Sequence, residues 1–197
     1  MKISLKKIML SALVATPCLV AGLYFAYTHL VSNHVVSGIV PFDKARDSAF
    51  ILKMFKDPTN WYWLIEESSR FSPELMIETQ GYPQETTNRG NLFIDVVYDK
   101  AEPVGFTAYL KNSIYSGKIL FLLVDEKFRG QGWGYRLLDH AVGQLKKMGS
   151  TRVELLTRLS NESAQRLYKR YGFKEMYRFN PGIVYFVYNY APDSSSS

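Results

Sequence analysis

A glycine-rich turn separates an apolar segment from an amphipathic one near the middle of the chain. Residues 119–124 read ILFLLV, and residues 125–134 read DEKFRGQGWG. The glycines remove side chains from a tight turn, so successive backbone N–H groups can converge at the start of the following helix. Such a turn suits a pyrophosphate, and Arg129 adds a permanent positive charge. The same glycines could also serve only to form a loop.

The spacing of this turn differs from that of dinucleotide-binding folds. Those folds need G-x-G-x-x-G, whereas Tyr135 follows Gly134 here. The strands predicted before the turn are joined by short connections, which indicates antiparallel pairing and not a βαβ unit. Dinucleotide binding is therefore disfavoured.

A second segment that could carry chemistry follows about 30 residues later and reads NESAQRLYKRYGF over residues 161–173. Asn161 can cap a helix there, and Gly172 can end it. Helical spacing places Tyr168 on the inward face of that helix, beside Leu167 and Tyr171. Taken alone, Tyr168 is best interpreted as a buried tyrosine that completes this face.

Together the two segments resemble the GNAT superfamily of N-acetyltransferases, which use acetyl-coenzyme A (acetyl-CoA). Residues 129–134 match the family signature R/Q-x-x-G-x-G/A, and residues 161–173 look like its N-x-x-A-x-x-L-Y-x-x-x-G-F stretch. The resemblance covers roughly residues 35–190. It implies an α/β fold with a GNAT-like mixed, mostly antiparallel sheet flanked by helices, and an acyltransferase activity.

The resemblance also implies a cofactor site. The backbones of Leu123 and Val124 would pair with the pantetheine arm of acetyl-CoA, as an added strand would. The turn would hold the pyrophosphate, and Asn161 would contact the cofactor near its acetyl end. The residues of the turn are Arg129, Gly130, Gln131, Gly132, Trp133, Gly134 and Tyr135.

Tyr168 matches the position of the family's usual general acid, which protonates the departing thiolate. A phenol is a weaker acid than a thiol, so Tyr168 is better described as a hydrogen-bond donor whose bond strengthens as charge develops on sulfur. Family members that acetylate protein N-terminal amines carry a glutamate twelve residues before this tyrosine, where this chain has Leu156. That departure puts the general base in doubt.

Several groups remain candidates for the base. Glu154 lies two residues before Leu156 and would face the same side of the strand, although residues of this type at a strand end are more often solvated charges. Asp125, Glu126 and a water relay are alternatives. Tyr185 and Tyr188 could line the acceptor pocket or simply pack.

The secondary-structure elements predicted around these residues begin with an antiparallel meander and then alternate between helix and strand. The predicted strands are residues 39–40, 92–98, 104–110, 119–124, 153–157 and 183–190. The predicted helices are residues 43–55, 61–69, 133–148 and 161–171, and residues 72–91 are expected to be mostly loop. The all-apolar strand at residues 119–124 is expected to be buried on both faces.

The chain begins with a long apolar run at residues 8–31. At about 1.5 Å per residue, a helix of this length crosses a hydrocarbon core of about 30 Å. We therefore expect a single transmembrane helix, with a cleaved signal peptide as the main alternative because Lys2, Lys6 and Lys7 precede the run. The expected organisation is a basic segment and membrane helix at residues 1–34, an acetyltransferase domain at 35–191 and a disordered tail at 192–197.

The charge distribution and the cofactor favour opposite membrane orientations. The three N-terminal lysines favour an N-terminus in the cytoplasm, which would put the catalytic domain outside. Acetyl-CoA is abundant in the cytoplasm, so we expect the catalytic domain there. A lumenal compartment supplied with acetyl-CoA would remove the conflict.

Composition excludes several other classes of protein. The chain has 197 residues, with 24 Lys plus Arg against 18 Asp plus Glu, and part of the excess lies at the N-terminus, so no nucleic-acid partner is expected. One cysteine rules out an intrachain disulfide framework. Three histidines without ligand spacing make a metal site unexpected. The oligomeric state is left open.

These observations predict an N-acetyltransferase that moves an acetyl group from acetyl-CoA to a primary amine by direct attack in a ternary complex. The acceptor, a small molecule or a peptide, is not specified. One alternative is a catalytically silent, membrane-tethered module that binds acyl-CoA or a protein partner. Another is a secreted binding protein that has lost about 32 N-terminal residues.

Overall fold

A seven-stranded mixed sheet forms the centre of the computed structural model, which describes residues 37–65, 71–81, 92–179 and 182–190. The strand order is β1-β2-β3-β4-β5-β7-β6, and β4 with β5 is the parallel pair in an otherwise antiparallel sheet. This confirms the predicted mixed, mostly antiparallel sheet. The strands are β1 (Gly38–Pro41), β2 (Leu92–Asp99), β3 (Glu102–Lys111), β4 (Ser116–Val124), β5 (Arg152–Arg158), β6 (Lys174–Phe179) and β7 (Ile183–Asn189).

Five α-helices in the described residues cover the two faces of the sheet. They are α1 (Lys44–Lys56), α2 (Pro58–Leu64), α3 (Pro73–Thr79), α4 (Trp133–Lys147) and α5 (Glu162–Tyr171). On one face, Phe55 of α1 packs against Phe106 and Phe121, with ring centroids 5.7 and 5.2 Å apart. On the other face, α4 and α5 bury Leu138, Leu145 and Tyr168 against β5 and β7; the facing strand residues are Val153, Leu155, Val184 and Phe186.

Local signals explain where α4 and α5 begin and end. Helix α4 buries Leu137, Leu138, Ala141, Val142 and Leu145, a helical repeat that makes one face apolar. Gly149 follows it with a φ of +82°, a backbone conformation that favours glycine. The Asn161 side chain accepts a hydrogen bond from the backbone N–H of Ala164 at 3.1 Å, and Gly172 ends α5 with a φ of +115°. Both predicted caps of α5 are therefore confirmed.

The parallel strands β4 and β5 separate partway along their length. They pair from Ser116–Arg152 to Ile119–Leu155, after which β4 continues to Val124 alongside β3. A bulge leaves Leu120 without a partner on β3. In a regular strand Ile119 and Phe121 would share a face, but the bulge places them on opposite faces: Ile119 packs in the cluster under α4, and Phe121 packs against Phe55.

This separation corrects the expectation that the strand at residues 119–124 is buried on both faces. Leu120, Leu122 and Val124 are only half-buried, since the space beside them is open. The aliphatic sequence of this strand does not reveal whether the neighbouring strand pairs with it along its full length or separates partway.

Two elements differ from the sequence prediction. Helix α3 lies within the stretch expected to be mostly loop: Ser72 caps it, Pro73 occupies its first turn, and Met76 and Ile77 are buried. Strand β6 was not predicted, because this edge strand is exposed along nearly all its length and therefore has no hydrophobic alternation.

The predicted membrane helix at residues 8–31 and the predicted tail at residues 192–197 lie outside the described residues. Within the part of the chain that the structure describes, no helix has the length and apolar character needed to cross a membrane.

Candidate active site

A cavity of about 900 Å³ opens where β4 and β5 separate. The second half of β4, the glycine-rich turn, helix α5, the end of β5 and helix α2 form its walls. The structure thus brings together two segments that are far apart in sequence. The predicted site residues that line it are Leu123, Val124, Arg129, Gly130, Gly132, Trp133, Gly134, Tyr135, Asn161 and Tyr168. Gln131 and Glu154 do not line it; the Gln131 amide donates a hydrogen bond to the Lys127 carbonyl oxygen at 3.3 Å.

The turn leaves the first N–H groups of α4 open to a ligand. Gly132 precedes α4 with a φ of +85° and supplies no side-chain cap, so the N–H donors of the first helical turn have no side-chain acceptor among the described residues. A Cβ at Gly130 or Gly132 would meet no atom within 4 Å, so the positive φ is what favours glycine at these positions. An anion is the ligand best suited to such a helix N-terminus.

Arg129 is held at the cavity wall by two acceptors. Its Nε donates to the Val124 carbonyl oxygen at 3.1 Å, and its Nη2 donates to the Asn60 side-chain oxygen at 3.0 Å. Neither acceptor carries a charge, so the guanidinium keeps its net positive charge beside the turn. Arg166 and Arg170 of α5 also line the cavity.

Asn60 was missed by the sequence analysis. It lies in α2, is 6% exposed, and donates from Nδ2 to the Met54 carbonyl oxygen at 3.0 Å while accepting from Arg129. The one available signal was a polar residue in a short helix rich in aromatic residues, which does not reveal a contact with a turn 69 residues away.

Tyr168 is buried at the cavity wall, where it packs against Phe173 and Phe186 at centroid distances of 6.0 and 5.8 Å. Loss of solvation raises the pKa of its phenol to about 12, so the hydroxyl is protonated at neutral pH. Its hydroxyl has no hydrogen-bond partner among the described residues. The group can therefore donate a hydrogen bond to an atom in the cavity.

The candidate bases have other partners. Glu154 is almost fully buried and accepts a hydrogen bond from Arg152 Nε at 2.9 Å. Asp125 accepts from the Lys127 N–H at 3.2 Å and pairs with Lys53 at 3.3 Å. Burial alone would raise the pKa of Asp125, but these contacts outweigh it and the pKa is lowered. Which group serves as base remains a prediction.

The two tyrosines considered for the acceptor pocket lie on opposite faces of β7. Tyr188 packs against Tyr171 and Phe173 at centroid distances of 5.4 Å each, so it belongs to the core under α5. Tyr185 is paired with Leu156 across the sheet, on the side of β5 that includes Glu154. In the described residues, no three His, Cys, Asp or Glu side chains are placed to hold a metal ion.

Comparison with known proteins identifies related chains. A model described as the acetyltransferase (GNAT) family matches residues 50–173. An uncharacterised N-acetyltransferase of Methanocaldococcus jannaschii is 39% identical over 80 residues, which are 38% of this chain and 35% of that protein. The ribosomal protein bS18 alanine N-acetyltransferase of Haemophilus ducreyi is 28% identical over 89 residues, which are 45% of this chain and 61% of that protein.

This chain therefore spans less than two thirds of the length of these two relatives. Among solved structures, yncA of Salmonella typhimurium, solved with its cofactor acetyl-CoA, superposes with a TM-score of 0.62 at 16% identity over 79% of this chain and 97% of that one. At this identity the superposition shows a shared fold.

Proposed function

This chain belongs to the acetyltransferase (GNAT) family, and we propose that it transfers an acetyl group from acetyl-CoA to a primary amine by direct attack in a ternary complex. One observation carries the proposal: an open strand edge, an uncapped helix N-terminus and an unpartnered phenol all face the same cavity. The strand edge suits the pantetheine arm of acetyl-CoA, the helix N-terminus suits its pyrophosphate, and the phenol suits its thioester sulfur. A purely structural domain would not need all three features around one cavity.

The residues present fit acetyl-CoA. Leu123 and Val124 lie beyond the last β4–β5 pair and line the cavity, so the pantetheine arm can align beside this stretch of β4 as an added strand would; the Val124 carbonyl oxygen already accepts a hydrogen bond from Arg129 Nε at 3.1 Å. The N–H groups at the start of α4 and the charge of Arg129 suit the pyrophosphate. The bound thioester supplies an activated acyl group.

Tyr168 acts as a hydrogen-bond donor. Its pKa of about 12 lies above that of an ordinary thiol, so complete transfer of its proton to a thiolate is uphill. A fixed donor that faces developing negative charge still lowers the barrier, because its bond strengthens in the transition state. Tyr168 therefore stabilises the sulfur as the C–S bond breaks.

The acceptor ammonium must lose a proton before it attacks. Of the described residues that line the cavity, Glu162 is the one with a carboxylate, and it pairs with Arg166 at 3.1 Å. We propose that water at the cavity mouth accepts this proton. Glu154, two residues before Leu156, is the nearest carboxylate on β5. Leu156 itself favours the alternative of a silent acyl-CoA-binding module, because the wall lacks an acidic side chain at that position.

Titration calorimetry on the purified full chain tests the cofactor site. We expect acetyl-CoA to bind with micromolar affinity and Gly132→Glu to weaken binding at least tenfold, since its carboxylate repels the pyrophosphate. Gly38→Glu is the matched control: Gly38 also has a positive φ, of +84°, a Cβ there would meet no atom within 4 Å, and it does not line the cavity.

Release of free thiol during incubation with amines then separates the enzyme from the silent module. Binding without thiol release for any amine would support the module. No binding by a chain that circular dichroism shows to be folded would overturn both.

A further inference from the structure

An apolar strip leads from the cavity to the edge of the sheet. Leu156 lines the cavity and pairs across the sheet with Tyr185 of β7. Tyr185 pairs in turn with Tyr177 of β6. Directly paired residues point to the same face. The rings of Tyr177 and Tyr185 stack with an interplanar angle of 15°. We call these three residues the acceptor strip.

The acceptor strip is exposed without being needed for the core. Leu156 is 47% exposed and Tyr177 is 62% exposed, although neighbouring side chains on the opposite face of β5 and β7 are fully buried. Single exposed apolar residues are ordinary, but a continuous row that begins at a cavity wall indicates a binding surface. Helix α2 also contributes Trp63 and Leu64 to the cavity wall.

The charges beside the strip are balanced. Glu154 is paired with Arg152, and it also contacts Tyr185, whose pKa is raised by burial and by the Glu154 carboxylate. Thus the described carboxylate nearest the strip is already neutralised. A polyamine or a lysine-rich segment would find no compensating negative charge among these residues, and its desolvation would be unfavourable.

The absence of an acidic residue at Leu156 also favours an acceptor amine of low basicity. At pH 7.5 about one third of a peptide α-amine is neutral, compared with about 0.1% of a lysine side chain. An α-amine therefore needs much less help from a base. This advantage is largest in a site whose described lining contains no unpaired carboxylate.

We infer that the acceptor is the α-amine of a peptide whose first side chains are apolar and lie along the acceptor strip. This inference rests on the proposed acetyl transfer. The strip crosses three strands, or about 10 Å at about 4.8 Å per step, which matches about three residues of extended peptide. A small amine would cover only its Leu156 end. Leu156 contacts the first side chain, and the two stacked tyrosines contact those that follow.

The test uses the full chain, acetyl-CoA and peptides of equal length that differ only in their first three residues. We expect kcat/KM to be at least tenfold higher for a Leu-Phe-Ala start than for a Ser-Lys-Asp start. A blocked peptide with one internal lysine, and spermidine, should react at under 1% of the rate of the apolar peptide.

The variant Tyr177→Ser should raise KM for the apolar peptide about fivefold while leaving KM for acetyl-CoA unchanged. Tyr115→Ser is the matched control, because Tyr115 is also 62% exposed but lies in the turn before β4. Both tyrosines are exposed, so both variants should fold.

Three results would overturn the inference: equal rates for apolar and polar starts, preference for lysine or spermidine, or equal effects of the two tyrosine variants. In each of these cases acetyl transfer would still stand. Failure of every amine, in a chain that does not bind acetyl-CoA, would instead refute the proposed function and the inference with it.

Discussion

The guanidinium of Arg129 donates a hydrogen bond to the side-chain oxygen of Asn60, 3.0 Å away, and so joins the glycine-rich turn to helix α2. Because Asn60 also binds the Met54 carbonyl oxygen at the end of α1, its amide group is fixed on both sides. A buried asparagine whose amide nitrogen and oxygen each form a hydrogen bond can hold an arginine in one orientation at little entropic cost. Asn60 is therefore expected to position the charge that meets the pyrophosphate.

Asn60→Ala should weaken acetyl-CoA binding about fivefold, because the Arg129 guanidinium is no longer oriented. It should also lower the free energy of unfolding by about 1–3 kcal/mol, since the Met54 carbonyl loses its donor. Calorimetry on a double-mutant cycle with Arg129→Ala separates the two effects. If Asn60 acts through Arg129, the loss of affinity disappears in the Arg129→Ala background. An undiminished loss there would show a purely structural role, and exposed Asn112→Ala serves as the neutral control.

Tyr168→Phe should lower kcat about 100-fold while leaving the Kd of acetyl-CoA nearly unchanged. The hydroxyl has no described partner, so its removal leaves no buried group unsatisfied and the fold should be retained. Single-turnover kinetics under saturating cofactor measures the effect on chemistry. Tyr115→Phe, on the surface, controls for a general effect of losing a phenol. Equal kcat values for the two variants would remove Tyr168 from the mechanism.

Asp47→Asn should destabilise the fold at neutral pH by about 3 kcal/mol. Asp47 is fully buried and accepts hydrogen bonds from Arg46 at 2.7 and 2.8 Å, from the Asp43 N–H at 2.8 Å and from the Tyr98 hydroxyl. Burial alone would raise the pKa of Asp47, but these donors outweigh it and the pKa is lowered.

A lowered pKa in the folded state means that the carboxylate stabilises the fold above its unfolded pKa of about 3.9, and that this stabilisation is lost as the pH falls through the folded value. The difference between wild type and Asp47→Asn in urea denaturation should therefore be large at pH 7 and should shrink below about pH 4. Asp99→Asn, at the end of β2, should differ little from wild type at either pH. A difference independent of pH would contradict this assignment.

Gly105→Ala and Gly143→Ala should change stability in opposite directions. A Cβ at Gly105 would overlap the Leu123 carbonyl oxygen, so β3 and β4 would have to move apart. We expect a loss of several kcal/mol and weaker acetyl-CoA binding, because Leu123 lies on the strand edge assigned to the pantetheine arm. At Gly143, within α4, nothing lies within 4 Å and alanine should add up to about 1 kcal/mol of stability. Chemical denaturation of both variants measures this, and a stable Gly105→Ala would refute the close contact.

Features of the site that depend on local sequence could be predicted. The positive φ of Gly132 and the Asn161 cap follow from the preferences of single residues at a helix start. The spacing of Leu167, Tyr168 and Tyr171 indicated which face of α5 packs against the core. The family resemblance added the expectation that the glycine-rich turn and the tyrosine belong to one site, and both line the same cavity.

Other features have no local signal. Helix α3 was not predicted because the sequence that follows it is rich in turn-forming residues, although Ser72 and Pro73 form an ordinary helix start. Strand β6 was hidden because an exposed edge strand does not alternate between apolar and polar residues. Asn60 could not be identified, because its importance comes from an arginine that only the folded chain places beside it.

The sequence by itself determined the helix boundaries at the site, the conformation of the glycine-rich turn and the chemical types of the groups available. Those depend on interactions within a few residues, which the chain makes in almost any fold. The tertiary structure decided that β4 and β5 separate after Ile119 and Leu155, that Asn60 holds Arg129, and that Leu156, Tyr185 and Tyr177 form a row. These relationships join residues distant in sequence, and they exist only when packing of the whole sheet brings their strands and helices together.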